Sequence, residues 1–141
     1  MKKIILLSIL VIGFNSYSQE LTCKDFKNGT FIVPKDEMIP TSFKIIRNGN
    51  SQIEFVMNPD EVDEPELKEK SYEIIEWIDD CSYKLKYDES KMKLTESQQF
   101  INDNGGIMTE MIKIEKKCFY YKSTLTVNGQ TQRIDGKICV E

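Results

Sequence analysis

The sequence contains 0 histidines. Histidine is the one side chain that titrates near neutrality unaided, so its absence removes the usual catalytic triads and every His-ligated metal site. Proline (4), glycine (7) and tryptophan (1) are scarce among the 141 residues, which excludes collagen-like and low-complexity classes. Positive charge is in deficit: 19 Lys and Arg face 23 Asp and Glu. That excess argues against nucleic acid or an anionic membrane surface as the main partner. A phosphate loop of the G-x-x-x-x-G-K type is missing. No apolar run reaches the ~20 residues that a helix needs to cross a bilayer.

The longest apolar run, residues 4–14 (IILLSILVIGF), sits behind Lys2 and Lys3. Ser16 and Ser18 then supply small residues at the −3 and −1 positions of a cleavage site before Gln19. This is the layout of an export signal over residues 1–18, and it predicts a periplasmic or secreted protein. A lipid anchor at Cys23 does not fit, because Glu20 and Thr22 occupy the positions where a lipobox needs a Leu-like and a small residue. No stable membrane anchor is expected. Without Lys2 and Lys3, 17 basic residues stand against 23 acidic ones in residues 19–141, which form one domain.

Four cysteines remain: Cys23, Cys81, Cys118 and Cys139. An even number in an exported chain reads as two disulfides. No pair has the spacing of a zinc site, and a nucleophilic Cys lacks a histidine base.

Alternation of apolar and polar residues marks strands at about 26–33, 41–47, 51–57, 71–78, 81–87, 107–115, 118–127 and 130–139. Around Asn48-Gly49-Asn50, a two-residue Asn48-Gly49 loop sets Phe43 against Glu54. A three-residue loop sets Phe43 against Phe55, Ile45 against Ile53 and Lys44 against Glu54. The second register matches apolar with apolar and is the expected one. Residues 58–70 carry two prolines and six acids (Asp60, Glu61, Asp63, Glu64, Glu66, Glu69), without the glycine and spacing of a calcium loop. They read as a solvated loop. In the hairpin of 71–87, Ile75, Trp77, Tyr83 and Leu85 share odd parity and one core face, with Ile74 and Ile78 opposite; its register stays open. Thr95 and Gln98 match a capping box, predicting a short helix over 95–103 that ends at Asn104-Gly105-Gly106. It is either a lid over a cavity or a plug on the core, and the plug is the simpler reading.

The last hairpin is the most informative. A two-residue Asn128-Gly129 loop pairs Phe119 with Ile138, Tyr121 with Gly136 and Ser123 with Ile134 on one face. The other face pairs Lys122 with Asp135, Thr124 with Arg133 and Thr126 with Thr131. The same count sets Cys118 directly opposite Cys139, at a Cα separation of ~4.5 Å that a disulfide accepts. The expected pairs are Cys118–Cys139 and, by elimination, Cys23–Cys81.

Eight strands joined by hairpins, with one short helix, predict an all-β, antiparallel up-and-down barrel. An open sheet and a two-sheet sandwich are the alternatives. Cys23-Lys24-Asp25-Phe26, Asn28-Gly29-Thr30-Phe31, then Arg47, Gln52 and Glu54, then Trp77-Ile78-Asp79-Asp80-Cys81-Ser82-Tyr83-Lys84-Leu85 together resemble a family of small secreted proteins of Gram-negative bacteria with no established activity. The resemblance spans residues 23–87. Some members carry the label of a DNA topoisomerase IV subunit, which a short, acidic, exported chain does not support. Gly29-x-Phe31 is also similar to the G-x-W opening of lipocalin-like barrels, whose aromatic packs at the closed end. Phe replaces Trp here, and Arg133 is the single arginine near the chain's end. The resemblance implies a lipocalin-like (calycin-like) barrel and an exported protein, with no functional residues to transfer.

For function, carboxylate pairs are the one route to catalysis without histidine. Glu54, Glu73, Glu76 and Glu110 lie on strands, where alternation assigns them to the solvent face. A non-catalytic binding module fits better. Phe43, Phe55, Trp77, Tyr83, Phe119 and Tyr121 fall on the expected inner faces as candidate ligand-binding residues for a small apolar or amphipathic molecule. No cofactor or metal is implied. The alternative is a protein-interaction or envelope-structural module with a packed core, using Ile74, Ile78 and Tyr120 on its outer face.

Overall fold

The computed structural model describes residues 20–141; the expected export signal at 1–18 lies outside the described residues. Eight strands run in order around a closed barrel: β1 Asn28–Val33, β2 Phe43–Asn48, β3 Ser51–Val56, β4 Ser71–Trp77, β5 Ser82–Tyr87, β6 Ile107–Glu115, β7 Cys118–Val127 and β8 Gln130–Val140. Every neighbouring pair is antiparallel, and β1 meets β8 through Phe31↔Val140 and Ile32↔Cys139. The expected all-β up-and-down barrel with one helix is the observed fold, and closure excludes the open sheet and the sandwich.

The β7–β8 hairpin has the expected register throughout, from Cys118↔Cys139 to Val127↔Gln130. Asn128 and Gly129 both adopt positive φ (51° and 77°), as a two-residue type I′ turn demands. Cys118 and Cys139 are disulfide-bonded with Cα atoms 4.0 Å apart, and Cys23 is bonded to Cys81. Lys122 faces Asp135 in the ladder but reaches across to Glu110 on β6 (2.8 Å), while Asp135 takes Arg133 (2.7 Å). The open hairpin of 71–87 is settled at Ile75↔Leu85 and Trp77↔Tyr83.

The β2–β3 register corrects the sequence reading. Asn48 pairs with Ser51, Arg47 with Gln52, Ile45 with Glu54 and Lys44 with Phe55. The turn is therefore Gly49-Asn50. Gly49 stands at the first central position with φ 60°, the requirement of a type II′ turn. Its tip is pinned on both sides: Gly49 N donates to Asn28 Oδ1 (2.8 Å), and Trp77 Nε1 donates to Gly49 O (3.0 Å). This register sends Gln52 and Glu54 inward. Phe55, expected inside, lies on the outer face under the Lys70 ammonium (5.3 Å to the ring). Lys44, expected beside Glu54, pairs with Glu141 at 2.7 Å.

The hairpin turns at 49–50, 78–81 and 116–117 gather at one end of the barrel. A 3-10 turn, Cys23–Phe26, closes that end. Phe26 is 0 % exposed; it stacks on Phe31 (5.5 Å) and meets Phe119 edge-on (5.1 Å). Cys23–Cys81 ties this turn to the β4–β5 connection, and Lys27 adds an ion pair to Asp80 (2.8 Å). The core plug is thus this N-terminal turn and not the helix.

The helix, α1 Glu96–Asp103, has the expected Thr95–Gln98 capping box but buries no residue fully. It sits at the opposite end. Asn102 clamps it there, accepting from Tyr87 N and donating to Tyr87 O, both at 2.9 Å. The acidic segment forms two 3-10 turns, Pro59–Glu61 and Pro65–Lys68. All six of its acids are exposed, as expected of a solvated loop, and only Val62 is buried.

The two disulfides differ in what they hold. Cys118–Cys139 closes 21 residues whose strands the ladder already aligns, whereas Cys23–Cys81 closes 58 and fastens the plug. On chain entropy, C23S/C81S is expected to destabilise by ~4 kcal/mol and C118S/C139S by ~3 kcal/mol or less. Urea unfolding without reductant measures both; the reverse order would mean that the plug is held by packing alone.

Candidate functional site

Between the aromatic plug and α1 the barrel is hollow. A cavity of about 460 Å³ opens toward the end bearing α1. Its outer wall is apolar, formed by Ile39, Phe43, Leu85, Ile101, Ile107 and Ile134. Its deep part is polar and includes Arg47, Gln52, Glu54 and Glu73. Tyr87 and Tyr121 line it as well.

Alternation explains how Arg47 comes inside. On β2 it shares parity with Phe43 and Ile45, so an inward Ile45 carries Arg47 inward whatever the register. That was the available signal for a polar interior. Arg47 is 3 % exposed, and its donors are met by three groups on three elements. Nε donates to Gln52 Oε1 (2.7 Å), Nη1 to the carbonyl of Phe26 (3.0 Å) and Nη2 to the Tyr83 hydroxyl (2.7 Å). The rings of Phe31 and Trp77 flank the guanidinium, each with its centroid 5.8 Å away. Gln52 passes the chain of hydrogen bonds on, its Nε2 donating to Glu73 Oε2 at 2.6 Å.

Glu54 and Glu73 occupy the inner face, against the expectation that strand acids face solvent. Neighbouring inward positions explain it. Glu73 pairs with Gln52, two residues from Glu54 on the same side of β3, so the two carboxylates are diagonal neighbours. Glu73 is 4 % exposed. Burial, and then repulsion from Glu54, hold its pKa well above the usual range, against the opposing pull of the Gln52 hydrogen bond and the Arg47 charge. Glu54 keeps partial contact with the cavity, yet lies deep in the wall. Burial pushes its pKa up to about 7, with Arg47 pulling the other way. Among the described residues no protein donor bonds its carboxylate. Glu76 and Glu110 do lie on the outside, Glu110 paired with Lys122.

Of the six aromatic candidates, Phe43, Tyr83 and Tyr121 line the cavity. Trp77 and Phe119 point inward but belong to the packed closed end, Trp77 edge-on to Tyr83 (5.0 Å) and Phe119 edge-on to Phe26. Phe55 is outside. Sequence reasoning missed Arg47, Gln52, Glu54, Glu73 and Tyr87 as cavity residues. Burial, with the Glu73 and Glu54 charges behind it, raises the Tyr87 pKa; burial likewise raises that of Tyr121.

Among the described residues, no group of three Cys, Asp or Glu side chains could hold a metal ion, and no helix is long and apolar enough to cross a membrane. The two disulfides fit an oxidising, extracytoplasmic environment. Comparison with family models, curated proteins and solved structures finds no match.

A raised carboxyl pKa links stability to pH. The folded protein holds its Glu54 proton up to about pH 7, whereas an unfolded Glu releases it near 4.5. The resulting stability is full below pH 4.5 and is lost as pH rises through 7. Glu54→Gln carries no such charge. It is expected to be more stable than the wild type by roughly 2 kcal/mol at pH 8, after allowance for cavity water, and little different at pH 4.5. Urea unfolding at both pH values checks this; parallel pH slopes for the two proteins would contradict it.

Proposed function

We propose that this protein is exported, to the periplasm or beyond the cell, and binds a small amphipathic molecule in its barrel without transforming it. The observation that carries the reading is the cavity of about 460 Å³, walled by apolar side chains and floored by a few convergent polar ones. That volume and lining are those of small-ligand sites in general. A barrel that needed only a filled core would have no use for the hollow, and cavities of this size reduce stability.

A hydrolase working through Glu54 and Glu73 is the second reading, since the two carboxyls meet inside the cavity. Catalytic carboxyl pairs divide the work, one held protonated and the other ionised, by environments that push their pKa values apart. Here burial pushes both upward. The environments act in the same direction and do not push the two apart, which favours binding over hydrolysis.

The test uses disulfide-intact protein and the neutral apolar fluorophore N-phenyl-1-naphthylamine. Saturable enhancement at one probe per chain is expected, with a Kd in the micromolar range (about 10⁻⁶ M) typical of a modest apolar fit. Leu125→Trp fills the cavity from the β7 wall and is expected to weaken the probe at least ~10-fold by removing its contact area. Unsaturable fluorescence in a protein with native near-ultraviolet dichroism would end this reading.

A further inference from the structure

We propose that the cavity selects an amphipathic organic cation, an alkyl- or arylammonium, with its nitrogen at the Glu54 and Glu73 carboxylates and its apolar body along the wall toward α1. This deepens the binding reading above and rests on it.

The geometry of the floor is one of unmet acceptors. Glu54 has no protein donor among the described residues. Glu73, 4 % exposed, accepts from Gln52 through Oε2 alone. Since no fully enclosed side-chain oxygen among the described residues lacks a partner, its free Oε1 opens on the cavity. An ammonium is the complementary group: up to three donors and one positive charge on a compact centre.

Among the described residues, the one cation on the floor does not fill that role. Arg47 spends its hydrogen bonds on Gln52, Phe26 and Tyr83, all neutral acceptors, and its faces are covered by Phe31 and Trp77. It forms no ion pair with either carboxylate. For the same reason an anionic head finds no free guanidinium. With both carboxyls ionised, two negative charges face one positive charge, and a bound ammonium restores neutrality. The rings of Tyr87 and Tyr121 border the same space and favour a cation over their faces. Above them Phe43, Leu85, Ile101 and Ile107 provide the surface for an apolar body.

The charged and titratable groups facing Glu54 are Arg47 from β2, Glu73 from β4, Tyr83 and Tyr87 from β5, and Tyr121 from β7. Glu54, whose pKa burial pushes up to about 7, changes charge between pH 5 and 8. Cation affinity is therefore expected to rise with pH across that interval, because a proton and the ligand compete for the same oxygens.

Calorimetric titration with three probes of equal chain length tests the proposal: octylammonium, octanol and octanoate, below their micellar concentrations. At pH 8 octylammonium is expected to bind at least ~10-fold more tightly than octanol, the worth of one charge-assisted hydrogen bond, and octanoate most weakly. The advantage should shrink at pH 5. Glu54→Gln should remove most of it, read as the ratio of octylammonium to octanol affinity in the same variant; the wild-type ranking alone carries the test if that variant folds poorly. If octanoate or octanol equals octylammonium at pH 8, the cation proposal is wrong and the binding reading stands. If none of the three probes binds, both are wrong.

Discussion

The fold turns on the burial of one guanidinium. Removing Arg47 from water is unfavourable by several kcal/mol unless its donors are satisfied, and satisfying them constrains three separate parts of the chain. The Phe26 carbonyl must reach across the barrel end, so the Cys23–Phe26 turn has to lie over it. The Cys23–Cys81 bridge and the Lys27–Asp80 pair hold it there. Gln52 must lie directly opposite Arg47, which selects the Gly49-Asn50 turn over its neighbours. The Tyr83 hydroxyl must point to the axis, which gives β5 its parity. Arg47 therefore links plug, register and strand parity at the closed end in a way that apolar packing alone does not.

This explains which parts of the structure were legible in the sequence. The eight strands follow from alternation, and the β7–β8 register from Asn128-Gly129, whose two positive φ values leave one loop length. Cys118 and Cys139 then coincide by counting. The β2–β3 register was misread because the matching rule was apolar with apolar. That rule holds where an interior is dry. Around a buried Arg, polar partners are the better match, and Ile53 and Phe55 yield the inner face to Gln52 and Glu54. The one-residue shift moves the whole of β3 from face to face. Misplacing β3 hid the polar floor, and with it the role of Glu73, whose inward position follows from odd parity with Ile75. The helix was readable as an element but not as a neighbour of the cavity. Its placement depends on Asn102 capturing the Tyr87 backbone, a contact no periodicity encodes.

The barrel divides its constraints unevenly. Both disulfides and the aromatic cluster of Phe26, Phe31 and Phe119 lie toward the closed end. The other end carries the longer connections, residues 34–42, 57–70 and 88–106, and neither disulfide. A domain of this size buries a limited core. Concentrating the cross-links and packing at one end lets the other remain hollow without loss of the fold. The cavity depends on the plug, because the same Arg47 that anchors Phe26 also positions Gln52 and hence Glu73.

Glu54 stands apart from that network. Arg47 has its three acceptors without it, and Gln52 has Glu73. The Glu54 carboxylate adds no hydrogen bond among the described residues and raises the cost of ionising Glu73 beside it. Buried ionisable groups are weak stabilisers even when paired, and an unpaired one is unfavourable. A neutral residue of the same size would serve the barrel better at neutral pH. What Glu54 changes is the inside of the cavity: a negative potential and an open acceptor at its deep end, facing an apolar wall. Its energetic effect on the protein alone is adverse, and that imbalance is what the proposed cationic ligand would offset.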